Sequence, residues 1–369
     1  AANISPDAAE IAIAGFDSAL YYNWAFTRGL VETSRLVAVH GEGARRELIE
    51  SLARGRSEIG GRRSEIGGRR SGVEDTELGE KIAAIRLGEG VLVSPEREAR
   101  ARCEVRAKYG IPQDAVLFGC FGGLTAEKRI TQIVAAFRAI EPHVPDARLL
   151  LAGASTAHFC VPAEISRGRG DEGRGIPRSE TVTLTGYLET DDELTDHIAA
   201  CDATLNLRWP TARETSGPWL RALAAGKATV ITDLSHLTDV ASLDPRTWRV
   251  NSPSDGRRPG SDVRTPDLGP RTSDPLCIAI DIVDEDHSLR LAMRRLAADA
   301  ELRARLGRAA REYWRREHSV EGMTDDYERV MRDAAARTDP VVDVPAHLRD
   351  SGHRRLKALL APFGLDAPI

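Results

Sequence analysis

The chain has 369 residues, two to three ordinary domain lengths, which disfavours a single small binding module. Hydrophobic residues at 41% together with 32 glycines give the apolar share of a globular protein and exclude wholesale disorder. With 51 basic against 56 acidic residues the net charge is −5, which excludes a protein whose main work is coating nucleic acid.

The chain opens Ala1-Ala2-Asn3, with neither an initiator Met nor a signal-peptide core, so a truncated start is expected. Leu36 to His40 is a short apolar run, and Glu42 to Leu52 follows with helical spacing, giving one βα unit. The heptad Arg56-Ser-Glu-Ile-Gly-Gly-Arg62 recurs as Arg63 to Arg69, and its Gly-Gly pairs predict a duplicated surface loop. Lys81 to Ile85 reads as another strand, and Ser94-Pro95-Glu96 opens a charged helix with Pro in its first turn, while a linker-like region ends near Cys103.

From Gly110 the order becomes regular. Ala115 to Phe121, Arg148 to Ala152, Val182 to Thr185, Ala203 to Leu207 and Ala228 to Thr232 read as buried strands. Helices lie between them, from near Glu127, over Asp191 to Ala200 and over Pro218 to Ala225. Such alternation predicts a parallel sheet covered on both faces. Two Gly- and Arg-rich stretches, Arg167 to Arg178 and Asn251 to Ser273, are expected as surface insertions. Ser288 to Arg316 reads as an amphipathic helix, Glu321 to Ala336 as another, and Ala346 to Leu360 as a basic helix.

No apolar run reaches the roughly 18 residues that span a bilayer. The longest, Ala115 to Leu124, is broken by glycines, so a soluble chain is expected. Cysteines 103, 120, 160, 201 and 277 are odd in number and never form C-x-x-C, which reads as reduced, structural and cytoplasmic.

Ligands of open α/β sheets sit beyond the carboxyl ends of the strands. Three segments there carry chemistry. In the first, Gly122 and Gly123 end a strand and Lys128 and Arg129 follow; glycines let backbone approach a phosphate and the lysine adds a mobile cation. An ordinary βα turn has the same outline. In the second, Glu214, Thr215, Ser216, Gly217 and Pro218 lead into a helix carrying Arg221, with Arg208 and Arg213 upstream. A carboxylate there is either dipole compensation or a grip on a polyol beside an anion-binding terminus. In the third, Gly186, Tyr187 and Leu188 follow a strand, where backbone groups and one aromatic ring are candidates to hold the base of a donor, although Tyr187 alone reads as core packing. Asp284-Glu-Asp286 is better explained as helix N-terminal capping than as a metal site.

The segments F-G-G-L-T-A-E-K-R (121–129), L-L-L-A-G (149–153), V-T-L-T-G-Y-L (182–188) and E-T-S-G…A-L-A-A-G-K (214–227), in this order, resemble the carboxyl-terminal half of a GT-B fold glycosyltransferase of retaining family 4. The resemblance implies one complete Rossmann-like C-terminal domain at 101–320 and the remnant of an N-terminal, acceptor-side Rossmann-like domain at 1–100, containing the duplicated loop 56–70. It further implies a helix at 321–336 crossing back to the N-terminal part, with 337–369 as a tail. It casts Lys128 as the cation on the nucleotide diphosphate, Glu214 as the holder of the donor sugar, and the amides after Glu214 as a cradle for sugar and phosphate. Two positions depart from the family pattern. Arg221 stands where a second glutamate usually holds ribose hydroxyls, and Gly123 stands where many members carry arginine, leaving Arg129 or Arg208 to supply a second phosphate cation.

The implied activity is retaining, metal-independent transfer from a nucleotide-sugar, needing no cofactor, to a glycan, lipid-linked or other acceptor. Peripheral membrane contact stays open as a partner and nucleic acid does not. A truncated chain is expected to bind nucleoside diphosphate and transfer poorly. The alternatives are a catalytically silent nucleotide- or partner-binding module, and an epimerase or phosphorylase of the same fold.

Overall fold

The computed structural model describes residues 25–59, 79–155, 181–210, 216–233, 240–251, 274–341 and 352–364. The repeat beyond residue 59, the whole Arg-rich insertion at 167–178, the second insertion after Asn251, Cys160, Arg213, Glu214 and Thr215 lie outside the described residues.

In chain order the elements are α1 (Ala25–Thr33), β1 (Val37–His40), α2 (Glu42–Ile59), β2 (Ile82–Ile85), α3 (Pro95–Tyr109), β3 (Val116–Phe121), α4 (Ile130–Ile140), β4 (Ala147–Ala152), β5 (Val182–Gly186) and α5 (Asp191–Ala200). They continue with β6 (Ala203–Asn206), α6 (Gly217–Ala224), β7 (Ala228–Thr232), β8 (Ser242–Leu243), β9 (Val250–Asn251), β10 (Cys277–Ile280), α7 (Glu285–Ala298), α8 (Ala300–Glu317), α9 (Val320–Ala336) and α10 (Gly352–Leu360).

β1 and β2 form a parallel pair of their own. The other strands make one sheet in the order β5-β4-β3-β6-β7-β10-β8-β9, parallel throughout except for the β8-β9 edge. The mixed α/β, parallel-dominated architecture follows from the strand residues. Leu149, Leu150 and Leu151 of β4, and Leu117 and Phe118 of β3, are all fully buried, as strands sandwiched between helical layers require. One layer packs Ile133, Phe137 and Met293 against the sheet, and the other packs Ile198, Ala199 and Ala222.

Local signals that end elements work as the residues dictate. Ser94 caps α3 by accepting from the Arg97 N–H at 3.2 Å, Pro95 starts the helix, and Gly110 ends it in the left-handed region at φ 67°. The linker expected near Cys103 is therefore helix. The first heptad is not wholly loop either, since Arg56–Ile59 finish α2 before the first Gly-Gly pair. The single helix expected over 288–316 is two: Asp299 leaves helical geometry at φ −118°, ψ 91° and caps α8 by accepting from the Leu302 N–H.

Cys120, Cys201 and Cys277 are buried and unpaired, and burial pushes the first two thiols up to about 11 and about 12, so they are inert packing groups. Among the described residues no helix is long and apolar enough to cross a membrane.

α9 lies against the segment that follows β2. Asp326 accepts from the Arg86 N–H and Nε at 2.9 and 2.8 Å, Arg329 reaches the Ala84 carbonyl at 3.3 Å, and Arg337 reaches that of Glu80 at 3.1 Å. The turn between α8 and α9 holds the same segment through the His318 Nδ1–H, 2.9 Å from the Leu87 carbonyl.

Candidate active site

The carboxyl ends of β3, β4 and β5, the turn at 126–128 and the first turn of α6 converge on one place. Three glycines close adjacent strands there. Gly122 (φ 88°) donates to the Ala152 carbonyl at 2.9 Å, and Gly153 (φ 154°) bridges to Gly186 (φ 76°). A Cβ on Gly153 would stand 2.1 Å from the Gly122 carbonyl oxygen, so the two strand ends approach only because that position lacks a side chain. Gly123, by contrast, has open space where a Cβ would be.

Lys128 ends a short 3-10 turn, Ala126–Lys128, and its ammonium folds back over the strand end. Its Nζ donates to the Phe121 carbonyl at 2.6 Å. A Cβ on Gly122 would lie 2.4 Å from that Nζ and 3.6 Å from Cγ of Pro218, which places the cation beside the first turn of α6. Burial lowers the Lys128 pKa; the electrostatic pull of Cys120 opposes this and the charge of Arg208 adds to it.

α6 offers an uncommitted terminus. Ser216 occupies the N-cap position but its hydroxyl makes no bond to the helix, and Gly217 and Pro218 follow. The first amide groups of a helix lack intrahelical partners and carry the positive end of its dipole. Trp219 anchors the turn from beneath, buried with its indole N–H 3.1 Å from Oγ1 of Thr229.

The two arginines expected to supply a second cation differ in placement. Arg129, itself in the left-handed region at φ 58°, turns its guanidinium to the buried carboxylate of Glu285, with contacts of 2.5, 2.8 and 3.1 Å. Arg208 lies in the loop after β6, where its N–H donates to Oγ1 of Thr232 and the next residue, Trp209, donates to the Glu127 carbonyl at 2.7 Å. Its charge is felt by both Glu127 and Lys128.

Tyr187 is not in the core: it is 69% exposed at the end of β5, while Leu188 packs partly into the sheet's helical layer. Residues 284–286 do stand at a helix N-terminus, where Asp284 accepts from the Ser288 hydroxyl and Asp286 pairs with Arg290; Glu285 instead serves Arg129.

Sequence reasoning passed over Gly153 as a site residue, and passed over Glu89, whose Oε1 accepts from Nε of Arg221 at 2.5 Å. Arg221 also reaches Asp191 at 3.1 Å. A carboxylate between two glycines, Gly88-Glu89-Gly90, was the available signal, since such a stretch outside a turn marks close approach to another backbone.

This α/β architecture, with a glycine-lined cleft at the strand ends, is the GT-B glycosyltransferase fold. Residues 115–251, which hold every described site element except Glu89 and Glu285, match the family described as Glycosyl transferases group 1. Among solved structures, HepE of Anabaena in complex with UDP is similar at a TM-score of 0.54 and 13% identity, over 80% of this chain and 63% of that one. A glycosyltransferase from Rickettsia africae ESF-5 is similar at a TM-score of 0.54 and 12% identity, over 87% and 67%. The chain thus spans less than two thirds of HepE's length. No curated protein matches the sequence.

Proposed function

We propose that the protein is a glycosyltransferase that transfers a sugar from a nucleoside diphosphate sugar to an acceptor hydroxyl, with retention at the anomeric carbon and without a metal ion. The observation that carries the reading is the Lys128 ammonium, fixed over Gly122 and beside the first turn of α6. When the bond from the anomeric carbon to the diphosphate breaks, the electron pair stays with the phosphate oxygen. A half-buried cation and a helix terminus already aimed there stabilise that charge without rearrangement. Arg208 adds a second positive charge from the opposite loop, the role the reading gives it in place of Arg129. Glu214 takes the hydroxyls of the transferred sugar. The family match at 115–251 and the UDP bound to HepE support a nucleotide-sugar donor. Retention follows from the resemblance to retaining family 4, and the acceptor is a glycan or a lipid-linked hydroxyl.

Calorimetric titration with UDP, followed by a transfer assay with UDP-sugars, tests the reading. Binding and turnover are expected, both weakened by Lys128→Ala. Absence of any nucleotide binding would sink it, and binding without transfer would favour a silent nucleotide-binding module.

A further inference from the structure

Glu89 is the carboxylate that reaches the first turn of α6 from outside it. Its backbone is held on both sides: the N–H donates to the His318 carbonyl at 3.3 Å, and the carbonyl accepts from the Trp314 indole at 2.8 Å. Gly90 (φ 92°) presses on α6, where a Cβ would stand 2.9 Å from Cα of Arg221. Arg221 then orients the side chain through its 2.5 Å bond to Oε1. The result is a carboxylate whose Cγ and Cδ lie 3.6 and 3.8 Å from the Cβ position of Gly217, with 30% of the side chain still open to solvent.

A negative group beside a terminus that attracts phosphate has no use for phosphate itself. An ionised carboxylate only accepts, and one bond from Arg221 leaves most of its lone pairs available. The groups it can recruit are therefore hydroxyls or N–H donors. Its position decides between them. The Cβ position of Gly122 lies 2.4 Å from the Lys128 ammonium and 3.6 Å from Cγ of Pro218, while Glu89 borders Gly217, one residue step of about 3.8 Å along the same terminus. A ligand lying across this terminus meets a cation at one side and an oriented acceptor at the other. A ribonucleoside diphosphate has that polarity, with two anionic phosphates followed by a sugar bearing two adjacent hydroxyls.

We infer that Glu89, positioned by Arg221, accepts hydrogen bonds from the ribose hydroxyls of the donor nucleotide. The inference rests on the donor-site reading above. It is tested by titrating the wild type and Glu89→Gln with UDP, ADP and GDP, with their 2′,3′-dideoxy counterparts, and with pyrophosphate.

The wild type is expected to bind its preferred ribonucleotide about 10- to 100-fold more tightly than the dideoxy form, the range for hydrogen bonds to a charged acceptor. Glu89→Gln is expected to cut that ratio at least fivefold while leaving pyrophosphate affinity within about twofold. A structural role for Glu89 alone would lower all affinities together and leave the ratio unchanged, which overturns the assignment. Equal affinity of the wild type for ribo and dideoxy forms overturns it as well. Failure to bind any nucleotide overturns the donor-site reading and this inference with it. A thermal melt of Glu89→Gln establishes that the variant is folded. Should it not be, Arg221→Lys, which keeps the charge but loses the guanidinium fork, is expected to lower the same ratio, and an unchanged ratio there overturns the assignment.

Discussion

Lys128 and Arg129 are neighbours in sequence with opposite fates. Lys128 keeps its charge in the cleft against a carbonyl, whereas Arg129 spends its charge on Glu285, 156 positions away. Replacing Lys128 by Ala is expected to lower turnover about 10²- to 10³-fold, the usual cost of one preorganised group at a leaving anion, as measured by steady-state transfer. The pH behaviour follows from its burial. Its folded pKa lies below the ordinary 10.5, so the cation is lost at lower pH than for an exposed lysine. On the proposed reading phosphate binding needs the cation, so nucleotide affinity should fall as pH rises, with a midpoint below 10.5. Titrations at stepped pH check this, and Lys128→Arg, whose guanidinium stays charged throughout, should flatten the profile.

The strand ends and the helix that faces them form the next level. The ends of β3 and β4 can bring Gly122 and Gly153 together only because position 153 lacks a side chain at the contact. Gly153→Ala forces a Cβ to within 2.1 Å of backbone in a conformation that L residues rarely adopt. Destabilisation of about 1–3 kcal/mol is expected from the overpacking, together with loss of nucleotide binding. Gly123→Ala is the control, since nothing lies within 4 Å of its Cβ position and a surface change of this kind stays within about 0.5 kcal/mol. Equal melting temperatures for the two variants would contradict the close-approach account.

Across the whole molecule, the chain after β2 is clamped by α8 and α9, and the same clamp presents Glu89 to α6. Asp326 accepts three hydrogen bonds from Arg86, at 2.9, 2.8 and 3.1 Å. Asp326→Ala is expected to cost about 1.5–3 kcal/mol, the range for hydrogen bonds to charged groups, and to speed amide exchange over residues 82–90. His318 joins the same contact with its pKa lowered, chiefly by burial, which outweighs the opposing bond to the Leu87 carbonyl. A histidine held neutral in the folded state binds fewer protons than the unfolded chain below its ordinary value of 6.5. Its contribution to stability is therefore complete above pH 6.5 and declines as pH falls below it. Denaturant titrations between mildly acidic and neutral pH read this directly, and His318→Gln should lose the dependence.

What could be read from the residues alone was whatever a few neighbours decide. Buried apolar runs marked β3, β4, β6 and β7 to within a residue or two, and Asp191 to Ala200 was a helix as read, because periodicity and caps act within a single turn. Gly122, Lys128 and Ser216 to Pro218 were legible as candidates for the same reason: a glycine turn and a Pro-led helix start are local chemistry. Asp299 was missed because a capping aspartate inside a long amphipathic pattern looks like one more solvated charge. Tertiary structure alone decided which charge meets which. Arg129 finds Glu285, Arg221 finds Glu89 across 132 positions, and Arg86 finds Asp326 across 240. No spacing rule reaches so far, since such pairs form only where the sheet, its crossover helices and the returning α9 bring distant side chains within hydrogen-bond reach. The carboxylate beside the first turn of α6 therefore came into view only once the chain was folded.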